Sequence, residues 1–302
     1  MSVAQLETRE IEFEGPSGLW SEAWRRVVRN PGAIVGFALV ALFVLTAIFA
    51  PLIAPYDPRE QNLDLLQGRC CPGPSSEHWF GVDALGRDEF SRVVYGARFS
   101  LLIGIVSVTV GVTFGLLLGA LSGFFGGTTD TVIMRLMDIM LSIPGLLMAI
   151  GIAAMLGPGL FSIMLAIGII NIPIFARLLR GSVLGQKSND FVLAARAIGV
   201  PRRRILVSHI LPNAISPVIV AATLALATAI IDAAALGFLG LGPQDPSTPE
   251  WGTMLSGTVR YLQTAPHLAI IPGVAIVVSV LGFNLIGDGL REALDPKLRG
   301  RT

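Results

Sequence analysis

The sequence predicts an all-α membrane protein with six transmembrane helices, and three observations carry that prediction. Of 302 residues 53% are hydrophobic and only 14% are charged, with a mean hydropathy of +0.70; soluble proteins carry about a quarter charged residues. Six apolar runs, roughly 33–55, 99–125, 131–157, 160–182, 211–240 and 268–288, are each long enough to cross about 30 Å of hydrocarbon at about 1.5 Å per residue. An even number of crossings puts both ends on one side. That side then holds 16 of the 22 Lys and Arg residues, Arg135, Arg177, Arg180, Lys187, Arg196 and Arg202–Arg204 among them, against six outside. The positive-inside bias makes it the cytosol.

The elements follow in order. Residues 1–32 form a cytosolic segment in which Trp20, Ala23, Trp24, Val27 and Val28 fall on one helical face and Arg25, Arg26 and Arg29 on the other. This pattern predicts an interfacial helix lying on the inner leaflet, with a short amphipathic helix packed on protein as the alternative. Five glutamates, Glu7, Glu10, Glu12, Glu14 and Glu22, precede the first apolar run, unlike the short basic start of a signal peptide, so that run is expected to persist in the mature chain. Residues 33–97 supply the first span and a long outer loop with a short helix expected around Asp88–Tyr95; loops of this length are usually functional or docking surfaces. The loop holds both cysteines, Cys70 and Cys71. Adjacent Cα atoms sit about 3.8 Å apart, below the usual disulfide range, while an oxidising exterior favours pairing; both states stay open.

Residues 98–289 form a core of five helices. Gly111, Gly115, Gly119 and Gly123 recur every four residues in the second span, a smooth stripe for close helix approach, within the chain or between subunits. A second outer loop, 241–267, places Trp251 and Tyr261 where aromatic residues favour the membrane interface. Residues 290–302 form a cytosolic tail.

Between the fourth and fifth spans lies a charged loop, 183–212, whose segment Asp190–Asn213 reads DFVLAARAIGVPRRRILVSHILPN. Phe191, Ala194, Ala195 and Ile198 share one face of a short helix, and Asp190, Leu193, Arg196 and Ala197 point away. Gly199 suits the helix stop and Pro201 forbids continuation. A helix of about ten residues is marginal alone in water, so this one needs a surface to dock on. The arginines Arg202, Arg203 and Arg204 follow at once.

This segment resembles the "EAA" loop of permease subunits of ATP-binding-cassette importers, which docks as a coupling helix in a groove of the ATPase. Three further blocks, HWFGVDALGRDEFSRVVYGARFSL (78–101), GGTTDTVIMRLMDIMLSIPGLL (126–147) and WGTMLSGTVRYLQTAPHLAIIPG through FNLIGDGLREALDPKLRG (251–300), look like the C-type permease subunit of dipeptide, oligopeptide and nickel importers. The resemblance covers about residues 78–300. It implies a type I importer fold in the bacterial inner membrane, a heterodimer with a B-type permease, two ATPase subunits that hold ATP and Mg, and an external substrate-binding protein. It assigns coupling to Asp190, Phe191, Ala194, Ala195, Arg196, Gly199 and Arg203. The glutamate that names the EAA loop falls at Leu193 here, and Asp190 stands one turn earlier as the acidic candidate. Asp232 and Ala235 stand where relatives often have Glu and Ser.

Other chemistry is missing. A P-loop requires Gly-Lys followed by Ser or Thr, but Lys187 follows Gln186 and Lys297 follows Pro296. His78, His209 and His267 form no HExxH motif, and no GxSxG motif is present, so metalloprotease and serine-hydrolase readings fail. No cofactor or metal is expected on this chain, and scattered basic residues argue against nucleic acid as a partner. His209 reads as a structural hydrogen-bonder. Asp138 and Arg135 are spaced to pair on one helix. Asp232 must face protein or water, since a carboxylate facing lipid is strongly disfavoured; a structural pair and the translocation path both stand open. Asn284, Asp288 and Arg291 recur at one-turn intervals and are expected to tie the last span to its neighbours, and Asp138, Asp232 and Asn284 are the candidates for the translocation path or for intramembrane polar contacts. A secondary transporter or channel is the rival reading, but it gives the coupling segment no purpose. Di- or oligopeptides are the expected substrates, with nickel chelates or haem as alternatives within the same group.

Overall fold

Cap chemistry and proline set the ends of the helices into which the apolar runs fold. The structure is a computed structural model that describes residues 24–66 and 70–294. Its principal helices are α1 Pro31–Ile48, α2 Glu89–Phe125, α3 Gly127–Ser142, α4 Gly145–Leu156, α5 Leu160–Lys187, α6 Asp190–Ala197, α7 Ser216–Phe238, α8 Trp251–Thr258 and α9 His267–Leu294. Asn30 caps α1 through the Ala33 amide, with Pro31 at the first helical position. Asp88 caps α2 by accepting from the Ser91 amide at 2.7 Å.

The short helix expected around Asp88–Tyr95 is the beginning of α2. No proline interrupts its 37 residues, so it runs unbroken across position 98 for about 55 Å. It therefore stands well clear of a hydrocarbon layer of about 30 Å.

The third apolar run is not one rod. α3 and α4 meet at 92° because Ile143, preceding Pro144, is extended at φ −94 and ψ 130; proline excludes its predecessor from helical geometry and brings no N–H of its own. Five helices, α1, α2, α5, α7 and α9, are long and apolar enough to cross a membrane, and the bent pair makes a sixth if it counts as one span. The chain path decides that it does. Lys187 Nζ donates to the Phe124 carbonyl at 2.7 Å, so α2 and α5 end together. α5 begins some 28 residues earlier, at the opposite end of the bundle, where the Gly159 amide donates to Leu241 O at 3.0 Å just beyond α7. Hence α3 and α4 carry the chain from one end to the other.

The first and last described segments agree with six crossings. Asn30 Nδ2 donates to Glu292 Oε2 at 2.6 Å, and Val27, Ala33 and Ala293 share a small core. α1 thus begins where α9 ends. The Tyr56 amide donates to Ser91 Oγ, which places the far end of α1 at the start of α2, so Asn30 shares its end of the bundle with Phe125 and Lys187. This tie replaces the one expected of Asn284, Asp288 and Arg291. Asp288 and Arg291 are exposed and Asn284 half-buried, and none has a hydrogen-bond or ion-pair partner among the described residues. In the amphipathic segment before α1, Val27 packs on protein and Trp24 lies edge-on to Phe37 at 6.0 Å; Trp20 and Ala23 lie outside the described residues.

The glycine stripe is an intrachain seam. Ideal Cβ atoms at Gly111, Gly115 and Gly119 would stand 2.7, 2.5 and 2.4 Å from Asn171, Phe175 and Ala176 of α5, the closeness that small residues allow. In the loop 241–267, α8 tucks against the end of α7. Trp251 is therefore buried and not at the interface, its Nε1 donating to the Val93 carbonyl at 3.0 Å and its ring 5.6 Å from Phe43. A buried indole needs such an acceptor. Cys70 and Cys71 are joined as a disulfide between neighbours, and Cys71 packs with Ala265 and Leu268.

Candidate coupling site and outer cavity

α6 spans Asp190–Ala197 and hangs below the bundle on two residues. Val192 and Ala195 are buried in the large core cluster that also holds Ile205 and Ile210, and α6 packs on the Ile205–Ile210 stretch that follows it. This corrects the expected face: Ala195 points into the chain, and Val192 is the anchor that a reading by apolar spacing missed. The signal was present, because positions three apart lie on one helical face. Phe191, Leu193, Ala194 and Ile198 remain outward, with Ile198 81% exposed. Asp190, Arg196 and Arg203 are exposed beside them.

The helix stop is a complete Schellman turn. The Gly199 amide donates to Arg196 O and the Val200 amide to Ala195 O, both at 3.0 Å, with Gly199 left-handed at φ +80. Pro201 follows, then Arg202–Arg204 and a π-helical stretch, Ile205–Ile210. The wide turns come just before Pro212, which cannot donate to a helical carbonyl. Among the described residues the His209 ring meets backbone, its Nδ1 3.4 Å from Arg204 O.

Inside the bundle the expected Arg135–Asp138 pair is absent. Asp138 pairs with Arg177, and Asp130 accepts from Arg180 at 2.5 and 2.6 Å. Both arginines come from α5, which packs along α3; the sequence displays local neighbours but not this antiparallel one. Arg135 forms no salt bridge among the described residues. Asp232 is half-buried, without a hydrogen-bond or ion-pair partner among the described residues, so the structural pair expected for it is not found there.

At the end of the bundle opposite α6 five ionisable side chains, Asp83, Arg87, Asp88, Glu89 and Arg92, are each buried. Arg87 binds Asp83 at 2.6 Å and the Pro246 carbonyl. Arg92 lies 3.5 Å from Asp83 and donates to Pro58 O at 3.1 Å. His78 Nδ1 sits 2.9 Å from Asp88. Glu250, which sequence reading passed over, is 1% exposed and caps α8 through the Gly252 and Thr253 amides, each at 2.8 Å. Burial pushes its carboxyl above the ordinary range, against the opposing pull of those amides. On the exposed loop nearby, hydrogen bonds from the Ser247 side chain and amide hold Asp245 below the ordinary range. Between α2 and this loop lies a polar cavity of about 360 Å³. Among the described residues no three His, Cys, Asp or Glu side chains converge to hold a metal.

The family described as "binding-protein-dependent transport system inner membrane component" matches residues 111–300. The "N-terminal TM domain of oligopeptide transport permease C" matches residues 18–68. The dipeptide transport system permease protein of Alkalihalophilus pseudofirmus is 49% identical over 280 residues, 93% of this chain and 90% of that protein. The glutathione transport system permease protein of Escherichia coli is 48% identical over 282 residues, 93% of this chain and 91% of that protein. The di/tripeptide transport system permease protein of Pseudomonas aeruginosa is 48% identical over 286 residues, 94% of each chain. Among solved structures, a chain of the MetNI methionine ABC transporter in an inward-facing conformation superposes with a TM-score of 0.56 at 22% identity, covering 68% of this chain and 96% of that one. At that identity the likeness speaks for the fold alone.

Proposed function

Because the chain belongs to the family of inner-membrane components of binding-protein-dependent transport systems, as a C-type permease of the peptide importer group, we propose that it forms half of the translocation path of an ATP-driven importer of di- or oligopeptides. It pairs with a B-type permease, takes substrate from an external binding protein and rests on two ATPase subunits that hold ATP and Mg; it lies in the bacterial inner membrane with both termini in the cytosol. The observation that carries this reading is α6, an eight-residue helix whose buried anchors Val192 and Ala195 join it to the core through the Ile205–Ile210 stretch while Phe191, Leu193 and Ile198 stay outward. A helix that short holds its shape only when seated on something. Its outward apolar residues suit a groove, and its buried anchors would pass movement of that groove into the bundle.

Asp190, Arg196 and Arg203 supply the charges around the seat. Within the membrane, the half-buried Asp232 and Asn284, lacking partners among the described residues, are assigned to the path or to the facing permease. Asp138, held by Arg177, fixes the inner part of α3. The peptide substrate rests on what the dipeptide, di/tripeptide and glutathione relatives carry.

The test is uptake of a labelled dipeptide by vesicles reconstituted with both permeases, both ATPases and the binding protein. Accumulation should require ATP inside the compartment that faces the ATPases and should stop when the binding protein is left out. Uptake that proceeds without ATP would replace this reading with a secondary transporter.

A further inference from the structure

Glu89 lines the cavity and its buried Oε1 has nothing to accept from among the described residues, and we infer that the cavity is a binding site for a small zwitterion, a short peptide whose free ammonium sits on Glu89 and whose carboxylate sits on Arg260. The choice of a peptide rests on the function proposed above; the requirement for an ammonium rests on the cavity itself. Glu89 is 2% exposed, and its Oε1 has no hydrogen-bond partner among the described residues. A buried acceptor left unsatisfied is costly and rare in folded proteins, and it marks a place where a donor belongs.

The neighbouring cations do not fill that need. Arg87 is committed to Asp83 and the Pro246 carbonyl, and Arg92 to Asp83 and the carbonyls of Pro58 and Pro246. Asp83 absorbs both guanidinium groups and leaves Glu89 as the unpaired carboxyl group of the cluster.

The cavity, about 360 Å³, lies within the size range of small-molecule sites. Its wall also includes Arg260 and Tyr261. Arg260 is exposed and lies 5.8 Å from the Tyr261 ring, with no carboxylate partner among the described residues. A carboxyl group without a donor on the buried side and a guanidinium without a carboxylate partner on the exposed side complement a ligand carrying an ammonium at one end and a carboxylate at the other. An ammonium offers three donors and suits a single carboxylate oxygen. A metal ion would need several converging ligands, and among the described residues none converge. Glu89 stands in the first turn of α2, at the end of the bundle opposite Lys187 and α6, where a peptide released from a binding protein would first meet the permease.

The experiment measures equilibrium dialysis of labelled L-alanyl-L-alanine against the assembled complex in detergent, with no binding protein present. Saturable binding is expected, at least tenfold weaker for the N-acetylated peptide and for Glu89→Gln, and weaker for the amidated peptide and for Arg260→Ala. The inference is overturned if there is no saturable binding, if N-acetylation leaves affinity unchanged, or if a Glu89→Gln complex that elutes like the wild type binds equally well. Should Glu89→Gln fail to assemble, the blocked peptides and Arg260→Ala, at an exposed position, decide the matter. A complex that imports dipeptides but shows no such binding removes this site and leaves the proposed function intact. Glu89-dependent binding in a complex that imports no peptide does the reverse.

Discussion

Replacing Gly119 with leucine is expected to yield no monodisperse protein in detergent. At this position α2 and α5 are so close that an ideal Cβ would stand 2.4 Å from the carbonyl oxygen of Ala176. The obstacle is backbone inside a continuous helix, which cannot swing aside as a flexible side chain would. Even Gly119→Ala should cost about 1–3 kcal/mol as an overpacking change, visible as a lower melting temperature. Leucine would separate α2 from α5 along the seam that also seats Gly111 and Gly115. Gly181, on α5 with open space around its Cβ position, is the control: Gly181→Ala should be neutral or slightly stabilising, since alanine favours the helix. Wild-type melting behaviour in Gly119→Leu would show that the seam is not as tight as the structure has it.

Gly199→Val is expected to leave the complex assembled while cutting transport at least tenfold. Gly199 is left-handed at φ +80 and has nothing within 4 Å of its Cβ position, so the penalty is one of backbone conformation, about 1–2 kcal/mol or more for a β-branched residue. Relief by leaving the left-handed region would break the bonds from Gly199 to Arg196 and from Val200 to Ala195, and the chain would leave α6 in another direction. Asparagine tolerates this conformation, so Gly199→Asn should recover much of the lost uptake, which separates backbone strain from loss of space. Wild-type uptake by Gly199→Val would mean that the exit angle of α6 does not matter.

Much of this was legible because apolar length and helix punctuation are local properties. The spans, the stop at Gly199 and the short helix before it are all written in consecutive residues. What stayed hidden depends on partners distant in sequence. Hydropathy alone did not show that Pro144 turns the third run through 92°. Trp251 looked like an interfacial aromatic until Val93 and Phe43 closed around it. Asp138 had a plausible local partner in Arg135, yet Arg177, 39 residues away, takes it. On α6 the apolar spacing identified Phe191 and Ile198, but which of Val192 and Ala194 faces inward depends on how the Ile205–Ile210 stretch folds back against it. Glu89 gave no sign at all, because an unsatisfied oxygen is visible only once every neighbour's hydrogen bonds are assigned.

The central claim is that α6 seats in the ATPase, and site-specific photo-crosslinking measures it directly. A photoreactive residue replacing Ile198, the most exposed apolar side chain of the segment, should form a covalent adduct with an ATPase subunit in the assembled, transport-competent complex. The same residue replacing Leu52, which is 83% exposed at the far end of α1, should not. An adduct from position 198, lost when the ATPases are omitted, is the predicted result; a complex that transports normally while position 198 labels no ATPase subunit would contradict the account.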